Sequence, residues 1–260
     1  MTRAPLVAAW LLALAALGAR TLAAEVAHPE RLRRVDPGEL SYTYEPGTFT
    51  PDYEPPAPGS YSLPVIDTME DHPLLDVDGR ATTLFSVKGD RLAIVAFVYT
   101  TCVEAAGCPV SLAVLHRVDS ELAAEPRLAR RVALITVSFD PEQDTPARMA
   151  VVRRFHRPRT DWHFLTASDP AALAPLLADF DQPVAKLRFP DGEWTGLFRH
   201  VLKVFLLDRS NRVRNVYSVG FLNPALLLND ARTLLLEASP PRPDGRHDAA
   251  AARPATAAGK

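Results

Sequence analysis

The sequence contains little sulfur. Only two cysteines and three methionines occur in 260 residues. The methionines, Met1, Met69 and Met149, are too scattered to form a methionine-rich metal site. Cys102 and Cys108 lie six positions apart. A disulfide across so short a loop removes little entropy from the unfolded chain and stabilises weakly. A redox or metal-binding role is therefore favoured over a structural disulfide.

The sequence also lacks a large net charge of either sign. The formal net charge is −2, so no overall field favours binding to nucleic acid. The sequence contains no P-loop, no G-x-S-x-G and no H-E-x-x-H motif. The apolar fraction of 47% and the charged fraction of 23% are ordinary for a globular protein.

Hydrophobic runs long enough to span a bilayer are missing. The longest uncharged run, 4–19, follows Arg3 and has 16 residues, whereas a transmembrane helix needs about 20. Small residues follow it at Ala23 and Ala24. This order is typical of a cleaved secretion signal. We expect a signal peptide at 1–24, a periplasmic or otherwise exported protein, and a membrane tether only if the segment is not cleaved.

Proline is abundant, with 24 residues, and is densest towards the ends of the chain. The segment 25–60 is rich in proline and tyrosine and lacks a regular apolar period, which predicts a linker lying partly on the domain. The Pro/Ala-rich segment 239–260 predicts a disordered tail. One domain is therefore expected at 61–238.

Strands and helices are predicted to alternate within this domain. Continuous apolar runs rich in β-branched residues are typical of buried strands, and a capping residue followed by proline is typical of a helix start. The predicted strands are 92–99, 132–139, 162–166, 201–207 and 213–217, and the predicted helices begin at Pro109, Pro146, Pro170 and Pro224. This order predicts an α/β, thioredoxin-like fold, with a central mixed sheet and helices on both faces.

The cysteines flank a predicted junction between a strand and a helix. Cys102 follows the apolar strand, and Cys108 precedes Pro109, which suits the first position of a helix. A thiol at a helix N-terminus lies near the positive end of the helix dipole. We therefore expect Cys108 to be accessible and to have a lowered pKa, which would favour its reactive thiolate form.

Three segments and one histidine resemble the Sco/SenC family. The segments are Tyr99-Thr100-Thr101-Cys102 with Cys108-Pro109, then Val137 to Pro146 (VSFDPEQDTP), then Trp162 to Thr166 (WHFLT). The histidine is His200, expected at the start of a strand. The resemblance covers about 61–238, and its most specific part is the stretch from Asp140 to Pro146.

The resemblance implies a copper-binding metallochaperone of the thioredoxin-like fold. Its copper ligands would be Cys102, Cys108 and His200, with Asp140 near the thiols as an orienting group. The partner would be a copper-accepting client protein, such as a cytochrome c oxidase subunit. Some members act instead as thiol–disulfide reductants, so Cys102 and Cys108 are also a candidate redox-active pair.

The sequence departs from the family pattern at the thiols. The family spacing is C-x-x-x-C, whereas here five residues separate Cys102 and Cys108. Residues six apart do not share one helix face, so the segment must bend for the thiols to meet, and Gly107 favours a bend. Three functions stay open: a copper carrier, a thiol–disulfide oxidoreductase, and a binding module without chemistry. His116 is the alternative histidine ligand.

Overall fold

The computed structural model describes most of the predicted domain. The described residues are 51, 53–102, 107–218 and 220–237. The predicted signal peptide at 1–24, the tail at 239–260 and most of the linker at 25–60 lie outside them. Within these ranges, no helix has both the length and the apolar character needed to cross a membrane.

The described residues form ten strands and six helices. The strands are β1 (Asp67–Thr68), β2 (Pro73–Leu75), β3 (Ala81–Thr83), β4 (Leu92–Val98), β5 (Val132–Ser138), β6 (Trp162–Leu165), β7 (Val184–Arg188), β8 (Trp194–His200), β9 (Lys203–Leu207) and β10 (Arg212–Ser218). The helices are α1 (Leu84–Lys88), α2 (Cys108–Ala124), α3 (Pro126–Ala129), α4 (Pro146–His156), α5 (Pro170–Asp179) and α6 (Pro224–Glu237).

Six strands form one mixed sheet in the order β1-β10-β9-β4-β5-β6. Strands β4, β5 and β6 are parallel, and β9 runs antiparallel to both β4 and β10. Every residue of β4 and β5 is buried. The sheet is therefore covered on both faces, which explains why these strands are continuous apolar runs rather than alternating ones.

Alternate residues of the central strands belong to two separate cores. Ile94 packs in one core with side chains of α2, α4 and α6, whereas Val95 packs in the other with side chains of α1 and α5. Because neighbouring residues of a strand point to opposite faces, helices cover both faces of the sheet. The predicted α/β, thioredoxin-like class is confirmed.

Two of the predicted helix starts are formed by side-chain caps. Thr145 accepts a hydrogen bond from the N–H of Arg148, and Asp169 accepts one from the N–H of Ala172 at 2.9 Å. A proline follows each cap, as expected from the sequence. The start of the predicted domain is also fixed, since the hydroxyl of Tyr61 donates to Asp230 of α6 at 2.5 Å.

The antiparallel hairpin formed by β7 and β8 is a feature that the sequence pattern did not predict. Their residues are exposed or half-buried, apart from the buried Phe198, so they lack the apolar runs that marked the others. His200 is the last residue of β8 and not the start of the next strand, which begins only at Lys203. That expected position was wrong. The turn signal Pro190-Asp191-Gly192, with Gly192 at φ 92°, could have revealed the hairpin.

Candidate metal centre

Cys102 lies in a turn that follows β4. Its N–H donates to the carbonyl of Tyr99 at 3.3 Å, and its side chain is half-buried. Thr100 in the same turn donates through its backbone N–H to the carboxylate of Asp144 at 2.9 Å. The turn that carries the first thiol is therefore tied to the segment preceding α4. Residues 103–106, where the two extra residues fall, lie outside the described residues.

Cys108 is the first residue of α2, with Gly107 as the N-cap. The backbone N–H of Tyr99 donates to the sulfur of Cys108 at 3.4 Å. This contact joins the start of α2 directly to the end of β4. The fold thus positions Cys108 by two elements at once.

The environment of Cys108 differs from the expectation. The side chain is only 3% exposed, and burial raises the pKa of the Cys108 thiol well above its usual range. The hydrogen bond from Tyr99 opposes this effect only in part. The expected accessible thiol with a lowered pKa was wrong, because loss of hydration outweighs the field of the helix N-terminus.

His200 reaches the thiols from the end of β8. Its Nε2 lies 3.9 Å from the sulfur of Cys108, and the ring packs against Tyr99 and Phe139, with centroids 5.6 and 5.1 Å away. Its Nδ1 lies 3.5 Å from the carbonyl oxygen of Phe198. A proton on Nδ1 would leave Nε2 unprotonated and facing the sulfur. An unprotonated imidazole nitrogen is the form that binds a metal ion.

The donor atoms of Cys102, Cys108 and His200 all lie within 4.8 Å of one another, and the two cysteines are not joined in a disulfide. Taking zinc sites as a guide, metal bonds of about 2.0–2.3 Å to nitrogen and sulfur place neighbouring donors roughly 3.3–4.0 Å apart at tetrahedral to trigonal angles. The separation of 3.9 Å between Cys108 and His200 falls in this range. The three side chains therefore fit one metal ion, with at most a small movement of Cys102.

Asp140 lies just after β5 and is 2% exposed. Its Oδ2 has no hydrogen-bond partner among the described residues. Burial raises the pKa of its carboxyl group, and the nearby charge of Asp144 acts in the same direction. Its expected role as an orienting group near the thiols stays a prediction.

Asp144 links three elements of the structure near the thiols. Its carboxylate is fully buried and accepts hydrogen bonds from the backbone N–H of Thr100, the hydroxyl of Thr100 and the hydroxyl of Ser138. The helix cap is the neighbouring Thr145. The second aspartate of the DPEQDTP stretch was the available signal for this role.

The other described histidines lie apart from this group. His116 is exposed on α2, and its ring lies tilted against that of His156, with centroids 6.2 Å apart. His72 is bonded to Asp179 at 2.6 Å. His116, the alternative ligand, is therefore not part of the metal-binding group, although it lines the same cavity as the two cysteines.

The fold and the site together define a thioredoxin-like domain that carries a thiol–thiol–imidazole group beside its central strand. A family model described as SCO1/SenC matches residues 63–236. The chain belongs to the SCO1/SenC family, as the sequence motifs predicted. No curated protein matches the chain.

Solved structures of the same fold include several Sco proteins. Arabidopsis thaliana ScoI with copper bound is 19% identical with a TM-score of 0.53, over 65% of this chain and 98% of that one. A SCO1/SenC family lipoprotein from Bacillus anthracis is 21% identical with a TM-score of 0.54, over 65% and 95%. BsSco, described as a Sco-family cytochrome c oxidase assembly protein with a disulfide switch, is 23% identical with a TM-score of 0.52, over 67% and 98%.

Proposed function

We propose that this protein is an exported copper metallochaperone that carries its ion between Cys102, Cys108 and His200. The observation that carries the proposal is the approach of His200 Nε2 to the sulfur of Cys108, at 3.9 Å, with the second thiol within 4.8 Å of both. The ion is cargo and not a resident cofactor. The client is a copper-accepting protein, such as a subunit of cytochrome c oxidase.

The donor set suits copper in its reduced state. Cu(I) is a soft ion that favours thiolate and imidazole ligands. Cys108 is held by α2 and β4, whereas Cys102 is half-buried beside a cavity of about 730 Å³. An acceptor can therefore approach the ion from the side of Cys102 while Cys108 and His200 still hold it.

Family membership supports the same function. Copper is bound in the Arabidopsis ScoI structure, and BsSco is described as a cytochrome c oxidase assembly protein. The signal-like segment at 1–24 supports export, as does the description of the Bacillus anthracis relative as a lipoprotein.

A titration of reduced, metal-free protein with Cu(I), in competition with a chromogenic Cu(I) chelator, tests the proposal. We expect one copper ion to be bound per chain, and the affinity to fall by at least about tenfold in His200→Ala, since one ligand of the site is lost. His116→Ala is the matched control, because His116 lines the same cavity without joining the group. Equal affinity in both variants would contradict the ligand set.

A thiol–disulfide oxidoreductase is the second candidate function. It is favoured by one observation, the presence of two cysteines in the reduced state whose sulfurs lie within 4.8 Å. The pair could form a disulfide by exchange with a client disulfide, which would then be reduced to two thiols. Rapid exchange with a model disulfide, together with weak Cu(I) binding, would favour this function over copper carriage.

A further inference from the structure

A groove leads away from the thiols along the surface between α2 and α4. Its inner part is the cavity of about 730 Å³ that is lined by Cys102 and Cys108. Its outer part is a second cavity of about 520 Å³. The two parts adjoin, because His116, Phe155 and His156 line both.

The wall formed by α4 exposes large apolar side chains. Phe155 is 81% exposed and Val151 is 50% exposed, and both line the inner cavity. On the opposite wall the half-buried Leu112 of α2 also contributes an apolar surface. Adjoining apolar side chains in a concave, exposed surface are typical of interaction sites.

The same wall is strongly basic. The segment 145–160 contains five arginines and no acidic residue, in a chain whose net charge is −2. None of these arginines forms an ion pair with a carboxylate in the described part of the chain. Arg154, Arg157 and Arg159 line the outer cavity. A concave surface lined by charge of one sign attracts a partner of the opposite sign.

We propose that this groove binds an acidic segment of the partner protein that presents one large apolar side chain. The apolar side chain would lie between α2 and α4 against Phe155, and carboxylates beside it would pair with Arg154 and Arg159. This proposal rests on the proposed function, since it places the copper acceptor beside Cys102. Complementary charge at the rim of an interface raises the association rate and fixes the orientation of the partner.

An NMR titration with two synthetic peptides tests the groove. One peptide carries glutamates around a central phenylalanine, and the other carries lysines in place of the glutamates. The reduced, metal-free protein should bind the glutamate peptide about tenfold more tightly at low salt, with the largest shifts at Val151 and Phe155. The Phe155→Ser variant, altered at an exposed position, should lose this binding.

Charge reversal provides a matched pair of variants. Arg154→Glu with Arg159→Glu should lower the affinity for the glutamate peptide about tenfold. Arg127→Glu with Arg130→Glu makes the same charge change beyond the far end of α2, about 25 Å from Cys108, and should leave the affinity unchanged. Both double variants should bind Cu(I) as the parent does.

Several results would overturn the proposal. Equal binding of the two peptides, or chemical-shift changes that map outside the groove, would each do so. Chemical-shift changes in the groove on dilution of the protein alone would assign the groove to a second copy of the chain. Chemical-shift changes with anionic vesicles but not with the glutamate peptide would assign it to a membrane. Binding of the glutamate peptide by a chain that fails to bind Cu(I) would instead reject the copper function and leave the groove standing.

Discussion

Asp144 accepts hydrogen bonds from both the backbone N–H and the hydroxyl of Thr100, two residues before the first thiol. A third hydrogen bond, from the hydroxyl of Ser138 at 2.6 Å, anchors the same carboxylate to the end of β5. The turn that carries Cys102 is thereby held against the central sheet. The position of this thiol depends on a carboxylate that does not itself belong to the metal-binding group.

Replacement of Asp144 should weaken both the fold and the site. We expect Asp144→Ala to lower the free energy of unfolding by about 2–4 kcal/mol, because buried donors lose a charged acceptor. Cu(I) affinity should fall about tenfold, because the turn before Cys102 is released. Urea unfolding and a Cu(I) competition titration measure the two effects.

Asp169→Ala is the control for Asp144→Ala. It removes an exposed helix cap, so it should lower the free energy of unfolding by about 1 kcal/mol and leave copper binding unchanged. Equal Cu(I) affinities in the two variants would show that Asp144 does not position the site.

Copper affinity should depend on pH through Cys108. Burial raises the pKa of this thiol, so it is protonated at neutral pH and must release its proton to bind the ion as a thiolate. Apparent Cu(I) affinity should therefore rise with pH by about tenfold per unit for each proton released. Competition titrations at pH 6, 7 and 8 measure the slope.

The Cys108→Ser variant is the control for the pH dependence. It lacks the thiol that must lose a proton, so its residual affinity should rise less steeply with pH. An affinity of the parent protein that does not change between pH 6 and 8 would be inconsistent with a buried, protonated Cys108 as a ligand.

The two thiols should differ in reactivity. Cys102 is half-buried, whereas Cys108 is 3% exposed and has a raised pKa. Since the thiolate is the reactive form, iodoacetamide should modify Cys102 about tenfold faster or more in the reduced, metal-free protein. Mass spectrometry of the Cys108→Ser variant gives the modification rate of Cys102, and that of the Cys102→Ser variant gives the rate of Cys108. Equal rates would mean that Cys108 is exposed in solution.

Much of the fold could be predicted because its central strands are buried on both faces. The continuous apolar runs of β4 and β5 and the Thr145-Pro146 and Asp169-Pro170 starts are local signals, and the structure contains each of them. The β7–β8 hairpin was missed because strands that are only partly buried lack such runs. Because β8 was not predicted, His200 was expected at the start of the following strand, whereas it is the last residue of β8.

The composition of the candidate site could be predicted, but its electrostatics could not. The motifs indicated Cys102, Cys108 and His200, and the structure brings the three together. The pKa of Cys108 was predicted in the wrong direction, because the position at a helix start is visible in the sequence and the burial is not. The link from Asp144 to Thr100 depends on the packing of α4 against the thiol turn, which no local pattern encodes.

Copper carriage by this protein requires that one copper ion is held by two sulfurs and one imidazole. X-ray absorption at the copper K-edge of the reduced one-to-one complex tests this most directly. We expect two sulfur neighbours and one nitrogen neighbour, with the nitrogen lost in His200→Ala and one sulfur lost in Cys102→Ser. A spectrum without sulfur neighbours, or one that both substitutions leave unchanged, would contradict the account.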